Sequence, residues 1–154
     1  MLNAFPVGVV LLSTDLAKSK TFYADKLQLS VIDEDDSAIT YGSGQTRLTV
    51  TASTTGSKDE QTKASWQVTD LRAELDELAT RGVKPEDYDT DELKTVDGIA
   101  DQGKVWVAYI LDPDGNALGI EQPKDEPDAE QGNAEQGNPE QGNSEQGNPE
   151  QGNA

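Results

Sequence analysis

Apolar positions along this chain change spacing from strand-like to helical and back, and they do so twice. Residues 7–13 form a short apolar run, which predicts a strand. Ser13-Thr14-Asp15 is a helix-start signal, and Leu16, Lys20, Tyr23 and Leu27 then recur at helical spacing. After Leu29 come three short segments of strand composition, 30–33, 38–41 and 47–51, the last two separated by Gly42-Ser43-Gly44. A polar stretch, 52–60, rich in Ser, Thr and Gly, has the composition of a connection.

The pattern then restarts. Residues 64–68 read as a strand, Thr69-Asp70 as an N-cap, and Leu71, Leu75 and Leu78 as one face of a helix that Gly82 terminates. Residues 83–88 supply a strand and 89–103 a long loop. Strands at 104–111 and 117–121 flank Asp112-Pro113-Asp114-Gly115-Asn116, where proline and Asp-Gly suit a tight reversal. The capped triplets Thr14-Asp15-Leu16 and Thr69-Asp70-Leu71 lie 55 residues apart. The body therefore reads as an internal duplication within an α+β domain, two β-α-β-β-β modules at 5–51 and 61–122 joined by 52–60.

Composition removes residues 123–154 from this domain. They carry eight acids against one lysine and no apolar side chain larger than proline, and from Glu130 they repeat Glu-Gln-Gly-Asn five times. Such a segment buries too little to offset the entropy of ordering, so a disordered acidic tail is expected. The net charge of −18 includes −11 from residues 1–122 alone, which argues against nucleic acid and anionic membranes as partners. The chain has no cysteine and no histidine, so disulfides, thiol nucleophiles and imidazole proton shuttles are excluded. Residues 7–12 are too few to span a bilayer and lack the flanks of a signal peptide, so a cytoplasmic location is expected.

Several motifs together resemble the vicinal oxygen chelate superfamily of glyoxalases, bleomycin resistance proteins and extradiol dioxygenases. Thr14-Asp15-Leu16 with Ser19, Phe22-Tyr23 and Leu27 is similar to that superfamily's first helix, and Asp112-Pro113-Asp114-Gly115-Asn116 to its last hairpin. The stretch from Glu86-Asp87-Tyr88-Asp89 through Leu93-Lys94-Thr95-Val96-Asp97-Gly98-Ile99-Ala100 resembles an uncharacterised bacterial branch. The resemblance implies two modules curving into a cup-shaped mixed sheet, with helices on the convex side and four metal ligands on the first and last strands of the modules. Strand alternation carries those four positions onto Gly8, Thr49, Lys63 and Gly119. One hydroxyl and one ammonium make no competent donor set for a divalent ion, so no metal and no cofactor is expected.

A metal-free cup implies a small-molecule binder. Val10, Leu12 and Ala117 offer apolar lining; Arg47, Thr49, Ser65 and Gln67 offer convergent polar groups. Lys63 suits an anionic, partly aromatic ligand, Glu121 stands near the mouth, and either Trp106 or Tyr109, on opposite faces of one strand, supplies a flat wall. Trp66 reads as core, and Asp112 and Asp114 as turn residues rather than a calcium loop. Two other readings stay open. One is a metal-dependent glyoxalase- or dioxygenase-type enzyme drawing donors from Glu121 or the loop 97–101; the other is an interaction module working through its acidic tail. The two modules complete a cup within one chain or exchange in a homodimer.

Overall fold

The computed structural model describes residues 1–4, 7–56 and 61–124. Expectations for the repeat tail beyond Lys124 lie outside the described residues. Each module begins with a strand that ends at an aspartate-capped helix. Strand β1 (Val9–Ser13) leads to α1 (Leu16–Lys20), where the Asp15 carboxylate accepts the Lys18 backbone N–H at 3.1 Å. Strand β5 (Thr62–Gln67) leads to α2 (Leu71–Thr80), where Asp70 accepts from Ala73 N–H at 3.0 Å. These bonds satisfy donors that a helix start leaves unpaired.

The first helix continues as a π-helical turn (Thr21–Lys26), with Leu27 N–H reaching back five residues to Phe22 O at 2.9 Å. The second ends in a Schellman motif: Gly82 takes φ +77°, Val83 N–H bonds Leu78 O, and Gly82 N–H bonds Ala79 O.

The first sheet has the order β1-β4-β3-β2, adding β2 (Ser30–Glu34), β3 (Ala38–Ser43) and β4 (Thr46–Ala52); β1 runs parallel to β4 and the other pairs are antiparallel. The second has the order β5-β9-β8-β7-β6, with β6 (Thr95–Val96), β7 (Ile99–Asp101), β8 (Val105–Leu111) and β9 (Ala117–Pro123). Here too the first strand, β5, is parallel to the last, β9. The duplicated α+β architecture read from the sequence is thus present.

Two boundaries differ from expectation. Residues 83–88 form no strand; the module's outer pairing is the β6–β7 hairpin, inside the stretch read as loop. Asp97 and Gly98 both take positive φ (52° and 75°), which closes that two-residue turn. Upstream, Pro85 has no N–H to give a ladder, and Glu86 N–H alone takes the Tyr109 carbonyl at 2.7 Å. The second difference is at the tail boundary, where β9 runs through Pro123 and Lys124 N–H bonds Lys104 O at 2.9 Å.

One face of each sheet enters a shared core. Leu11, Tyr23, Ile39, Tyr41, Leu48 and Val50 from the first module meet Leu71, Leu75, Leu78, Ala108, Ile110, Leu118 and Ile120 from the second in one buried cluster. Polar ties also join the modules. Tyr23 OH donates to Asp112 Oδ2 (2.7 Å), Thr14 N–H to Asp114 Oδ1 (2.8 Å), and Trp66 Nε1–H to Ser43 Oγ (2.9 Å). Trp66 packs against the core as expected. Asp112 Oδ1 accepts the backbone N–H groups of Asp114 and Asn116, so the last hairpin is a turn closed by its own first residue.

Candidate functional site

Because side chains alternate along a strand, the core face of each sheet defines an opposite, outer face. On β1 the core side chain is the buried Leu11; Val10 points outward and is 64% exposed, while Leu12 is half-buried. Val10 lies beside Thr49 on β4, and Thr49 Oγ1 is 3.1 Å from Thr40 Oγ1 on β3. Arg47 follows on the same side of β4 and is exposed. Gly8 precedes β1, and a Cβ built there would meet no atom within 4 Å.

On the second sheet, Ser65, Gly119 and Tyr109 stand in one register row across β5, β9 and β8, and Gln67 pairs with Glu121 in the next row. Gly119 is buried. A Cβ there would lie 3.2 Å from Ser65 Cβ, 3.4 Å from Thr62 Cγ2 and 3.6 Å from Glu121 Oε1. The two glycines therefore differ: space is open at position 8 and already filled at 119. Burial, and then the charge of Glu121, push the Tyr109 hydroxyl above its ordinary pKa, so it stays a neutral donor beside that carboxylate.

The ladder carries a bulge between Thr62 and Ala64, so that Thr62 and Lys63 together occupy the place opposite Ala117. Thr62 thus joins the outer-face group although strand alternation alone pointed to Lys63. Tyr88 was also missed. Its ring meets that of Tyr109 edge-on, with centroids 5.7 Å apart. No hydrophobic period marks a residue held by an irregular segment, whereas Asp97-Gly98 was a legible hairpin signal.

Of the two aromatic candidates on β8, Tyr109 takes the outer face and Trp106 the other. Trp106 pairs with Asp101 and Gln122, and Gln122 Oε1 accepts Leu71 N–H at 2.8 Å at the start of α2. Hence the second sheet brings together Ser65, Gln67, Tyr109, Ala117, Gly119 and Glu121, with Thr62 and Lys63 at the bulge. The first sheet brings together Val10, Leu12, Arg47 and Thr49, with Gly8 just ahead of them. Trp106 belongs to neither group. The first strands of the two sheets, β1 and β5, approach each other.

These residues do not suit a resident divalent metal. Gly8, Thr49, Lys63 and Gly119 offer one hydroxyl and one ammonium, and among the described residues no three His, Cys, Asp or Glu side chains cluster. The alternative donors do not converge either. Glu121 lies on the outer face beside Val107, whereas Asp101 pairs with Trp106 on the opposite face.

Residues 7–120 match the family model described as Glyoxalase/Bleomycin resistance protein/Dioxygenase superfamily. Among solved structures, the glyoxalase family protein from Enterococcus faecalis is 17% identical, with TM-score 0.61 over 79% of this chain and 99% of that one. The bleomycin-binding protein from Streptomyces verticillus, complexed with copper(II)-bleomycin, is 21% identical, with TM-score 0.60 over 78% and 97%. Lactoylglutathione lyase from Agrobacterium tumefaciens is 18% identical, with TM-score 0.55 over 77% and 93%. No curated protein matches.

Proposed function

Since this chain belongs to the glyoxalase/bleomycin resistance protein/dioxygenase superfamily, we propose that it binds a small molecule at the outer faces of its two sheets without a metal. The observation that carries the reading is the donor set. Strand alternation assigns the superfamily's ligand positions to Gly8, Thr49, Lys63 and Gly119, and among the described residues no three His, Cys, Asp or Glu side chains cluster to hold an ion. An exposed Val10, a Thr40–Thr49 hydroxyl pair and the Ser65–Gly119–Tyr109 row supply the mixture of apolar lining and sparse polar groups that small ligands use.

In this reading Tyr109 is the flat wall and Lys63 the charge partner of an anionic, partly aromatic ligand. The chain is proposed to work as a homodimer, in which the exposed outer face of the first sheet, with Val10 and Ile32 on it, is completed by a second copy. A neighbour whose name includes bleomycin binding supports a ligand-holding role for this fold without naming this chain's ligand.

The test is a thermal-shift screen of metabolites and antibiotics against chelator-treated protein. At least one anionic compound is expected to raise Tm, with the shift reduced in Lys63→Ala and Tyr109→Ala. If stabilisation appears only after a divalent ion is added, or if one transition-metal ion per chain survives the chelator, the metal-free reading fails.

A further inference from the structure

Trp106 leads to a second site, on the face of the sheet opposite Tyr109. A cavity of about 760 Å³ lies there beside the start of α2. Its apolar surface comes from Leu71, Val96, Ile99 and Trp106; Val96 is 71% exposed and Trp106 is 39% exposed. Asp91, Glu92, Asp97 and Asp101 line it together with Arg72 and Lys94, and Lys94 is paired with Asp89 at 2.9 Å.

The chain itself shows what this aromatic surface accepts. The Lys124 ammonium lies 3.9 Å from the centroid of the Trp106 ring and forms an ion pair with Asp101. Aromatic face and carboxylate together thus already hold one cation. A partly exposed ion pair of this kind contributes little, so an incoming cation with an apolar body displaces it at small cost and also covers Val96 and Ile99. The negative charge of the whole molecule draws cations toward the rim.

We infer that this groove is a second binding site, for an organic cation whose ammonium takes the place of Lys124 between Trp106 and Asp101. It shares no residue with the outer-face group, and an anionic ligand has no reason to enter it.

The test uses the full chain labelled with nitrogen-15 and titrated with benzyltrimethylammonium, with the uncharged isostere neopentylbenzene as control. Saturable shifts are expected at the Trp106 indole N–H, identified by its loss in Trp106→Phe, and at the Val96, Ile99 and Asp101 amides. Lys124→Met removes the internal competitor and should tighten binding by about two- to fivefold, while Asp101→Asn should weaken it by a similar factor. Raising the salt concentration should weaken it further. The inference is overturned if the neutral isostere binds equally well, if Lys124→Met leaves affinity unchanged or lowers it, or if the shifts map to Tyr109 and Gly119. The last outcome would place the cation at the outer-face site.

Discussion

Two buried tyrosines show how strongly a single hydroxyl depends on its partner. Tyr23 OH is held by Asp112 in a fully buried network that also takes Asn116 Nδ2–H at 2.7 Å, whereas Tyr41 OH is buried with no hydrogen-bond partner among the described residues. Tyr23→Phe should therefore destabilise the fold by about 1.5–3 kcal/mol, the range for a bond to a charged group, while Tyr41→Phe should be neutral or stabilising. Urea unfolding of both variants checks this, and equal losses would show that Tyr41 has a partner. The glycines give a second contrast. Gly8→Leu enters open space and should leave stability unchanged, whereas Gly119→Leu must push into Ser65 and Thr62 and should cost about 1–3 kcal/mol in the same experiment. A residue-by-residue reading of the sequence placed both glycines on one face but could not tell them apart, because the atoms that crowd Gly119 come from β5, more than fifty residues away in the chain.

Among the elements, α2 is the one whose sequence signals were complete. Asp70 starts it, Leu71, Leu75 and Leu78 are its buried stripe, and Gly82 stops it with a positive φ. Asp70→Ala should lose about 1 kcal/mol of stability, visible as a lower urea midpoint with unchanged slope, since the cap is local and the fold otherwise intact. Residues 83–88 carry a strand's composition and yet form none. Strand formation needs a run of paired backbone groups, and here the bond between the segment and β8 is Glu86 N–H to the Tyr109 carbonyl, while Pro85 has no N–H to donate. The aromatic pair on β8 was undecidable for a related reason. Alternation puts Trp106 and Tyr109 on opposite faces, but which face meets α2 is set by the register with β9, where Tyr109 stands opposite Gly119.

At the scale of the molecule, charge and assembly are the measurable consequences. Burial pushes Tyr41 up to about 12, and burial followed by the charge of Asp112 pushes Tyr23 higher still; Tyr109 is also raised. A group whose folded pKa exceeds its unfolded value stabilises below the unfolded pKa, and that contribution is lost as pH rises through the folded one. Stability should thus fall as pH climbs past 10, and tyrosinate absorbance just above pH 10 should stay well below that of the same chain in denaturant. Full ionisation of all four tyrosines at that pH in the native protein would contradict the buried network. If the exposed outer face of the first sheet is a subunit contact, sedimentation should show a dimer, and Val10→Glu should convert it to monomer while the circular dichroism spectrum persists.

The sequence alone determined what rests on local chemistry and periodicity: the two modules, the aspartate caps, the core stripe of α2 and the closing Asp112–Asn116 turn. Those features are written in residue type and spacing, which no distant contact alters. Only the tertiary structure decided which β8 aromatic joins the outer face, that the bulge brings Thr62 beside Gly119, that residues 83–88 pair as no strand, and that Lys124 lies on Trp106. Each of these depends on how one strand aligns with another. A shift of a single residue in that alignment turns a side chain from one face of the sheet to the other without changing the hydrophobic pattern that predicted the strand.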